Sequence, residues 1–303
     1  MDMKKKESVL RILAVRLKRE TKIEKVDFNC LEEIRIREGC PVLYYENGRE
    51  HITECMADRK MLMEEMEYIT SYSLYAYENE MRQGFITVQG GHRVGICGKV
   101  IYENGRLRNI QYVSSINIRV SHEVRGCADT IFPTILEGEE PVHTLIISPP
   151  GRGKTTLLRD MVRQISNGNR FLTGKTVGVV DERSEVGACY MGHPCNELGI
   201  RTDIMDGCVK TEGMMMLIRS MGPQVLAVDE IGGREEMECI ARAMRSGIVV
   251  IATVHGSSFE EIQNQEHFKE ITAEKMFQRY IVMKRDGKKG VIDTIYNEQG
   301  RRL

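Results

Sequence analysis

The chain has 303 residues, 41% of them hydrophobic and 29% charged, with 43 Lys and Arg against 44 Asp and Glu for a formal net charge of −1. That composition carries enough apolar material for one large domain or two of ordinary size, which excludes disordered, collagen-like and small disulfide-stapled chains. Balanced charge argues against a nucleic-acid coat. The nine cysteines are an odd number without a framework spacing, as in a reducing compartment.

At the start of the chain, Leu10, Leu13 and Leu17 recur at helical spacing with Ile12 beside them, predicting one opening helix. Its basic residues, among them Lys5, Lys6, Arg11, Arg16 and Lys18, are expected on a solvated face. Arg11 and Arg16 also break the apolar run that a signal peptide needs. No apolar run elsewhere approaches the ~20 residues of a membrane span, so the expected location is cytoplasmic, compatible with recruitment to a membrane surface. Two Asn-Gly pairs, in Tyr45-Glu46-Asn47-Gly48 and Tyr102-Glu103-Asn104-Gly105, lie between strand-like runs. Both residue types tolerate the positive φ of a tight hairpin, so two hairpins are predicted, the second continuing as a meander through Arg119. Residues 1–122 therefore read as an α+β domain, and 123–140 as a short helix and linker.

From Pro141 the short apolar runs VHTLIIS, VGVVD, QVLAVDE and GIVVIATV alternate with helical stretches. Runs buried on both faces and separated by helices indicate a mainly parallel sheet, so residues 141–303 are expected to form an α/β domain. After Phe277 the pattern returns to a hairpin, placed at the sheet edge.

The sharpest chemical signal is Ser148-Pro149-Pro150-Gly151-Arg152-Gly153-Lys154-Thr155-Thr156. A phosphate-binding loop needs backbone N–H groups curled around phosphate oxygens, an ammonium close to them and a hydroxyl for magnesium. Gly151 and Gly153 allow the curl, Lys154 supplies the charge and Thr155 the hydroxyl, with Pro150, Arg152 and Thr156 completing the cradle. Leu157, Leu158, Met161, Val162 and Ile165 then give the following helix an apolar face. Ser148 stands where the strict pattern has glycine.

The run Val225-Leu226-Ala227-Val228 ends in Asp229 and Glu230. Beside a phosphate loop, the first acid suits magnesium through its waters and the second can polarise an attacking water. A second acidic group, Asp181-Glu182-Arg183-Ser184-Glu185, follows another strand-like run; it reads either as part of the ligand crevice or as a surface turn with an internal Arg–Glu pair. His255 closes a third run, either reporting on the γ-phosphate or serving structure. Cys189, His193, Cys195 and Cys208 match no structural-zinc spacing and are read as packing residues.

Together, SPPGRGKTTLLRD, VVDERSEVG, RSMGPQVLAVDEIG and ATVHG, with LEEIRIREGCPV and GHRVGICGKV in the first half, resemble the stage III sporulation protein AA family of endospore-forming bacteria. That family is in turn similar to the hexameric ATPases of type II and type IV secretion and pilus machines. The resemblance implies a P-loop NTPase core with a RecA-like sheet, ATP and Mg2+ as ligands, Glu185 or Glu230 as the water-orienting acid, and His255 in a histidine box. It implies an arginine from the N-terminal domain or a neighbouring subunit at the γ-phosphate, for which Arg93, Arg119, Arg201 and Arg219 are unranked candidates. It implies a homo-hexamer, peripheral to the inner face of a membrane, powering assembly of, or secretion through, a membrane channel during spore formation, with integral membrane proteins as partners. The balanced charge and the lack of a visible nucleic-acid module lead us to expect no nucleic acid. An ATP-dependent binding switch with slow hydrolysis, regulating a membrane or nucleic-acid partner, is the alternative. The chain has no Asn-Lys-x-Asp guanine signature, which favours ATP over GTP.

Overall fold

The computed structural model describes residues 3–71, 77, 80–81, 84–103, 105–268 and 274–303. The chain divides into two compact units, Met1–His122 with Ala188–Cys195 and Glu123–Gly187 with Asn196–Leu303.

In the first unit, Asn47 and Gly48 take φ of 53° and 72° and reverse the chain between Glu46 and Arg49. The hairpin joins β2 (Pro41–Glu46) to β3 (Arg49–Met56). These strands belong to a six-stranded sheet ordered β3-β2-β1-β6-β5-β4, with β1 Leu31–Arg37, β4 Phe85–Val88, β5 His92–Glu103 and β6 Arg106–Arg119. Neighbouring strands run antiparallel. Glu103 pairs with Arg106 across the second Asn-Gly, of which Asn104 lies outside the described residues. The expected meander is instead one 14-residue strand, because the ladder absorbs an irregularity at Tyr112, whose φ is 50°. Gly98 sits opposite, where a Cβ would lie 2.7 Å from the Gln111 carbonyl oxygen and 2.9 Å from that of Tyr112. Residues 188–195 pack in this unit: a Cβ on Gly91 would lie 2.9 Å from the Ala188 Cβ and 3.1 Å from the Cys195 Cβ.

The opening helix is two helices, α1 (Met3–Ile12) and α2 (Val15–Thr21). Its apolar spacing survives the break, since Leu13 and Leu17 are both buried. The break is tertiary. Ala14 is extended (φ −60°, ψ 148°), and its N–H donates to Oε2 of Glu65 at 2.9 Å. Glu65 belongs to α3 (Arg59–Ile69), is fully buried, and its Oε1 lacks a hydrogen-bond partner among the described residues. Burial pushes its carboxyl up to about 8, against the pull of the Ala14 N–H and the Lys18 charge.

In the second unit the sheet has seven strands in the order β11-β10-β12-β13-β9-β14-β15. They are β9 Thr144–Ser148, β10 Val177–Asp181, β11 Thr202–Asp206, β12 Val225–Val228, β13 Val249–His255, β14 Arg279–Met283 and β15 Ile292–Asn297. All neighbours are parallel except the β14–β15 hairpin, which closes the edge as expected. Every residue of β9, β10 and β12 is buried, which is why these runs read as continuous apolar segments. Helix α4 (Lys154–Asn167) buries Leu157, Leu158, Met161, Val162 and Ile165. Helices α5 (Lys210–Ser220), α6 (Arg234–Arg245) and α7 (Phe259–Asn264) follow. Edge strand β11, with sequence TDIMD, has no apolar run to announce it. Residues 123–140 lie in this unit, where Ala128, Phe132 and Ile135 share a core with Ile146, Leu158 and Val179. They include a short hairpin of β7 (Leu136–Glu137) and β8 (Glu140–Pro141). No helix among the described residues is long and apolar enough to cross a membrane.

The Glu65 carboxyl makes the first unit sensitive to alkali. A carboxyl with a raised folded-state pKa contributes fully below its ordinary value of 4.5, and that contribution is lost as pH rises through about 8. Buried His92 and His122, both lowered by burial, act in the opposite direction but only below their ordinary 6.5. Between pH 6.5 and 8 the loss should therefore be about 1–2 kcal/mol, roughly fifteen-fold in local opening. Hydrogen exchange of α2 and α3, corrected for intrinsic rates, should show it in the wild type and not in Glu65→Gln.

Candidate nucleotide site

Parallel pairing brings the C-terminal ends of the core strands to one sheet edge. Ser148, the last residue of β9, pairs with His255, the last residue of β13. Val228 of β12 pairs with Val180 and with Ala252, so Asp229, Asp181 and Thr253 each stand one residue further along that edge. The phosphate loop leaves β9 there. Ser148 is a buried strand residue whose hydroxyl donates to the Pro149 carbonyl at 2.9 Å, and it is outside the left-handed region, so the absent glycine imposes no backbone strain. Gly151 and Gly153, at φ of 71° and 97°, do need that freedom; Gly153 turns the chain into α4. Arg152 faces the β14–β15 loop: its carbonyl accepts from Gly290 N–H at 2.9 Å and its guanidinium donates to the Gly287 carbonyl at 3.1 Å.

Lys154 opens α4 and is 6% exposed. Its ammonium donates to Oε1 of Glu230, from which His255 Nε2 is 3.0 Å away, while Arg183 lies 3.2 Å from Oε2. Burial pushes the Glu230 carboxyl up, but the Lys154 hydrogen bond and charge, with His255 and Arg183, hold it below its ordinary value. Glu230 also takes a left-handed backbone, φ 54°. Its N–H donates to the Thr253 hydroxyl at 2.9 Å and its carbonyl accepts from Lys210 at 2.6 Å, so both sides of the residue are anchored. A non-glycine residue held this way stores about 1–3 kcal/mol of strain.

Asp229 is buried and accepts from Thr253 on one oxygen and from the Thr155 hydroxyl, at 2.7 Å, on the other. A hydroxyl and a carboxylate in contact beside the loop form an oxygen donor pair that suits Mg2+, which takes one or two protein oxygens and completes its shell from phosphates and water. Among the described residues no group of three or more His, Cys, Asp or Glu could hold a metal ion, so the remaining ligands would come from the nucleotide.

The acidic group after β10 is a built turn. Asp181 is buried and accepts the N–H groups of Glu185, Val186 and Gly187 at 2.8–2.9 Å. Burial nevertheless pushes its carboxyl up to about 6. Arg159 of α4 donates to the Glu185 and Val186 carbonyls at 2.7 and 2.8 Å, tying the turn to the helix that the phosphate loop opens. Asp181, Glu182, Glu185, Lys210, Asp229 and Glu230, with Arg183, line one narrow cleft.

The family described as sporulation stage III, protein AA, matches residues 3–303. The chain belongs to this family. It is 37% identical over 273 residues to stage III sporulation protein AA of Bacillus subtilis (strain 168), covering 90% of this chain and 89% of that one. Among solved structures it is similar to the ATPase DotB of Legionella pneumophila, with a TM-score of 0.60 at 16% identity over 88% of this chain and 77% of that one. It is also similar to the pilus retraction motor PilT, solved with bound ADP, with a TM-score of 0.59 at 14% identity over 84% and 74%. These two likenesses are likenesses of fold: a mixed α/β protein with a mostly parallel sheet and an N-terminal sheet domain.

The structure gathers Lys154, Thr155, Asp229, Glu230 and His255 directly, and Glu185 joins them along the cleft. Arg93 and Arg119 are cross-strand partners on β5 and β6 of the first unit, the Arg93 guanidinium 3.5 Å from the Phe85 ring centroid. Arg201 caps the far end of α4, donating to the Ser166 carbonyl at 2.8 Å, and Arg219 is exposed on α5. Sequence reasoning missed Thr253, Lys210 and Arg159, which carry no motif of their own. Arg183 stood inside the acidic motif, but its partner is Glu230 and not an acid of its own turn.

Because Glu230 is the counter-ion of Lys154, a phosphate that reaches this ammonium must displace it. Glu230→Gln should therefore bind nucleotide at least as tightly as the wild type, whereas Lys154→Ala should lose about 100-fold or more, as removal of a charged hydrogen bond to phosphate implies. Titration with a fluorescent nucleotide analogue distinguishes these outcomes.

Proposed function

We propose that the chain is a Mg2+-dependent ATPase that powers assembly of, or secretion through, a membrane channel complex during endospore formation. The observation that carries this reading is the convergence of a phosphate-loop ammonium, Lys154, with Thr155, Asp229 and Glu230 at one sheet edge. Membership of a sporulation family and a fold shared with an ATPase and a pilus retraction motor support it.

In this mechanism Lys154 and the N–H groups from Gly151 to Thr156 hold the β- and γ-phosphates, with Pro150 shaping the turn that presents them. Phosphate oxygens replace Glu230 as the counter-ion of Lys154, and Glu230 is released toward the cleft. Thr155 and Asp229 would hold magnesium, which would supply positive charge to the phosphate groups. Glu230 or Glu185 orients the water, and His255 follows Glu230 between its two partners. An arginine from the N-terminal unit or a neighbouring subunit, Arg93 or Arg119, adds positive charge at the transition state, a contribution worth ~10³ to 10⁵ in rate. The working form is a homo-hexameric ring, peripheral to the inner face of a membrane, with integral membrane proteins of the channel as partners and no nucleic acid.

A switch with slow hydrolysis is favoured by one observation: Glu230 is already bound by two cationic side chains, Lys154 and Arg183, and by His255, and must exchange partners before it can act on water. Phosphate release measured against protein concentration separates the readings. A ring motor gives turnover per chain that rises steeply with concentration and vanishes in Lys154→Ala; a switch gives a flat, near-zero rate despite tight ATP binding. Of Glu185→Gln and Glu230→Gln, the variant that binds ATP normally but does not cleave it identifies the water-orienting acid.

A further inference from the structure

The turn after β10 delivers a cation to the cleft from the same chain. Two anchors determine its backbone: buried Asp181 accepts three consecutive N–H groups, and the half-buried Ser184 hydroxyl donates to Asp206 at 2.5 Å while Ser184 itself takes a left-handed φ of 51°. Between these anchors stands Arg183, with a side chain 63% exposed. An exposed ion pair contributes about 0–1 kcal/mol, so the fold has little need of this arginine. Its direction is nevertheless specific. Glu182 is paired with Lys210, whereas Arg183 reaches across to Oε2 of Glu230.

Glu230 is thus shared. Lys154 holds one of its oxygens and Arg183 the other, so the guanidinium and the phosphate-loop ammonium are separated by the width of a single carboxylate. Any anion that displaces Glu230 from Lys154 arrives next to Arg183. Resting on the reading of the chain as an ATPase, we propose that Arg183 is a catalytic arginine supplied in cis, which exchanges Glu230 for the γ-phosphoryl oxygens. In the step it serves, the water oxygen bonds to the γ-phosphorus as the bond to the β–γ bridging oxygen breaks, and ADP leaves with that electron pair. One water hydrogen stays on the released hydrogen phosphate and the other leaves as a proton to solvent. Arg183 carries no proton in this step. Its fixed charge balances the negative charge spread over the equatorial oxygens, where a planar donor fork fits best. It adds to, and does not replace, an arginine from the N-terminal unit or a second copy.

The test uses ADP with aluminium fluoride, which imitates the transferring phosphoryl group, on the full chain. Arg183→Ala should bind ADP within about 3-fold of the wild type, trap ADP–aluminium fluoride at least 100-fold more weakly, and lose about 100-fold or more in kcat. Arg183→Lys should recover part of the trapping, and free guanidinium should restore part of the turnover of Arg183→Ala. If Arg183→Ala traps the complex as the wild type does, or loses ADP affinity as much as trapping, the proposal is wrong and Arg183 is only a counter-ion of Glu230. If the wild type binds neither ADP nor the fluoride complex, the ATPase reading fails and takes this proposal with it.

Discussion

Parallel pairing of β9, β10, β12 and β13 is the constraint on which the site depends. In a parallel sheet all strands end on the same side, and side-by-side register decides which end residues become neighbours. Here that register sets Ser148 beside His255 and brings Asp229 level with Thr253. The phosphate loop, the two acids and the histidine come from segments far apart in the chain, and no local interaction could gather them. Apolar burial of whole strands supplies the energy that holds this register, so the charged edge is built on a core that contains none of its chemistry.

At that edge Glu230 is the node. Lys154, Arg183 and His255 converge on its carboxylate, and its backbone is held in a strained conformation from both sides by Thr253 and Lys210. A residue so constrained does not drift when its side chain is released. The arrangement therefore combines a side chain in contact with several partners with a backbone that stays in place, as the proposed exchange of Glu230 requires. Arg159 extends the same logic to the acidic turn, because it fastens the Glu185 and Val186 carbonyls to the helix that opens with Lys154.

The first unit shows the opposite balance between local pattern and tertiary contact. The Leu10, Leu13 and Leu17 spacing is real and all three face the core side, yet the helix breaks at Ala14 because a buried glutamate on α3 captures its N–H. The 14-residue β6 shows the same effect in a strand: an irregularity opposite Gly98 keeps the ladder running where composition predicts separate segments. In both places a long-range contact outweighs a preference of a few tenths of a kcal/mol per residue, which is all that local propensity supplies.

Residue pattern alone determined the glycine turns that lead into the helix at Lys154, the apolar strands that end in acids, the Asn-Gly hairpin at residues 47–48 and the edge hairpin after Phe277. Each is a local requirement: positive φ, burial on both faces, or an ammonium next to flexible backbone. Pattern also named the acids and the histidine but left their mutual distances open. Only the tertiary structure decided that Arg183 faces Glu230, that Thr253 joins Asp229 to the Glu230 backbone, that Lys210 holds the Glu230 carbonyl and that Arg201 is occupied at the far end of α4. Those facts depend on strand register and on the path of turns between buried anchors, which follow from the packing of the whole unit and leave no periodic trace along the chain.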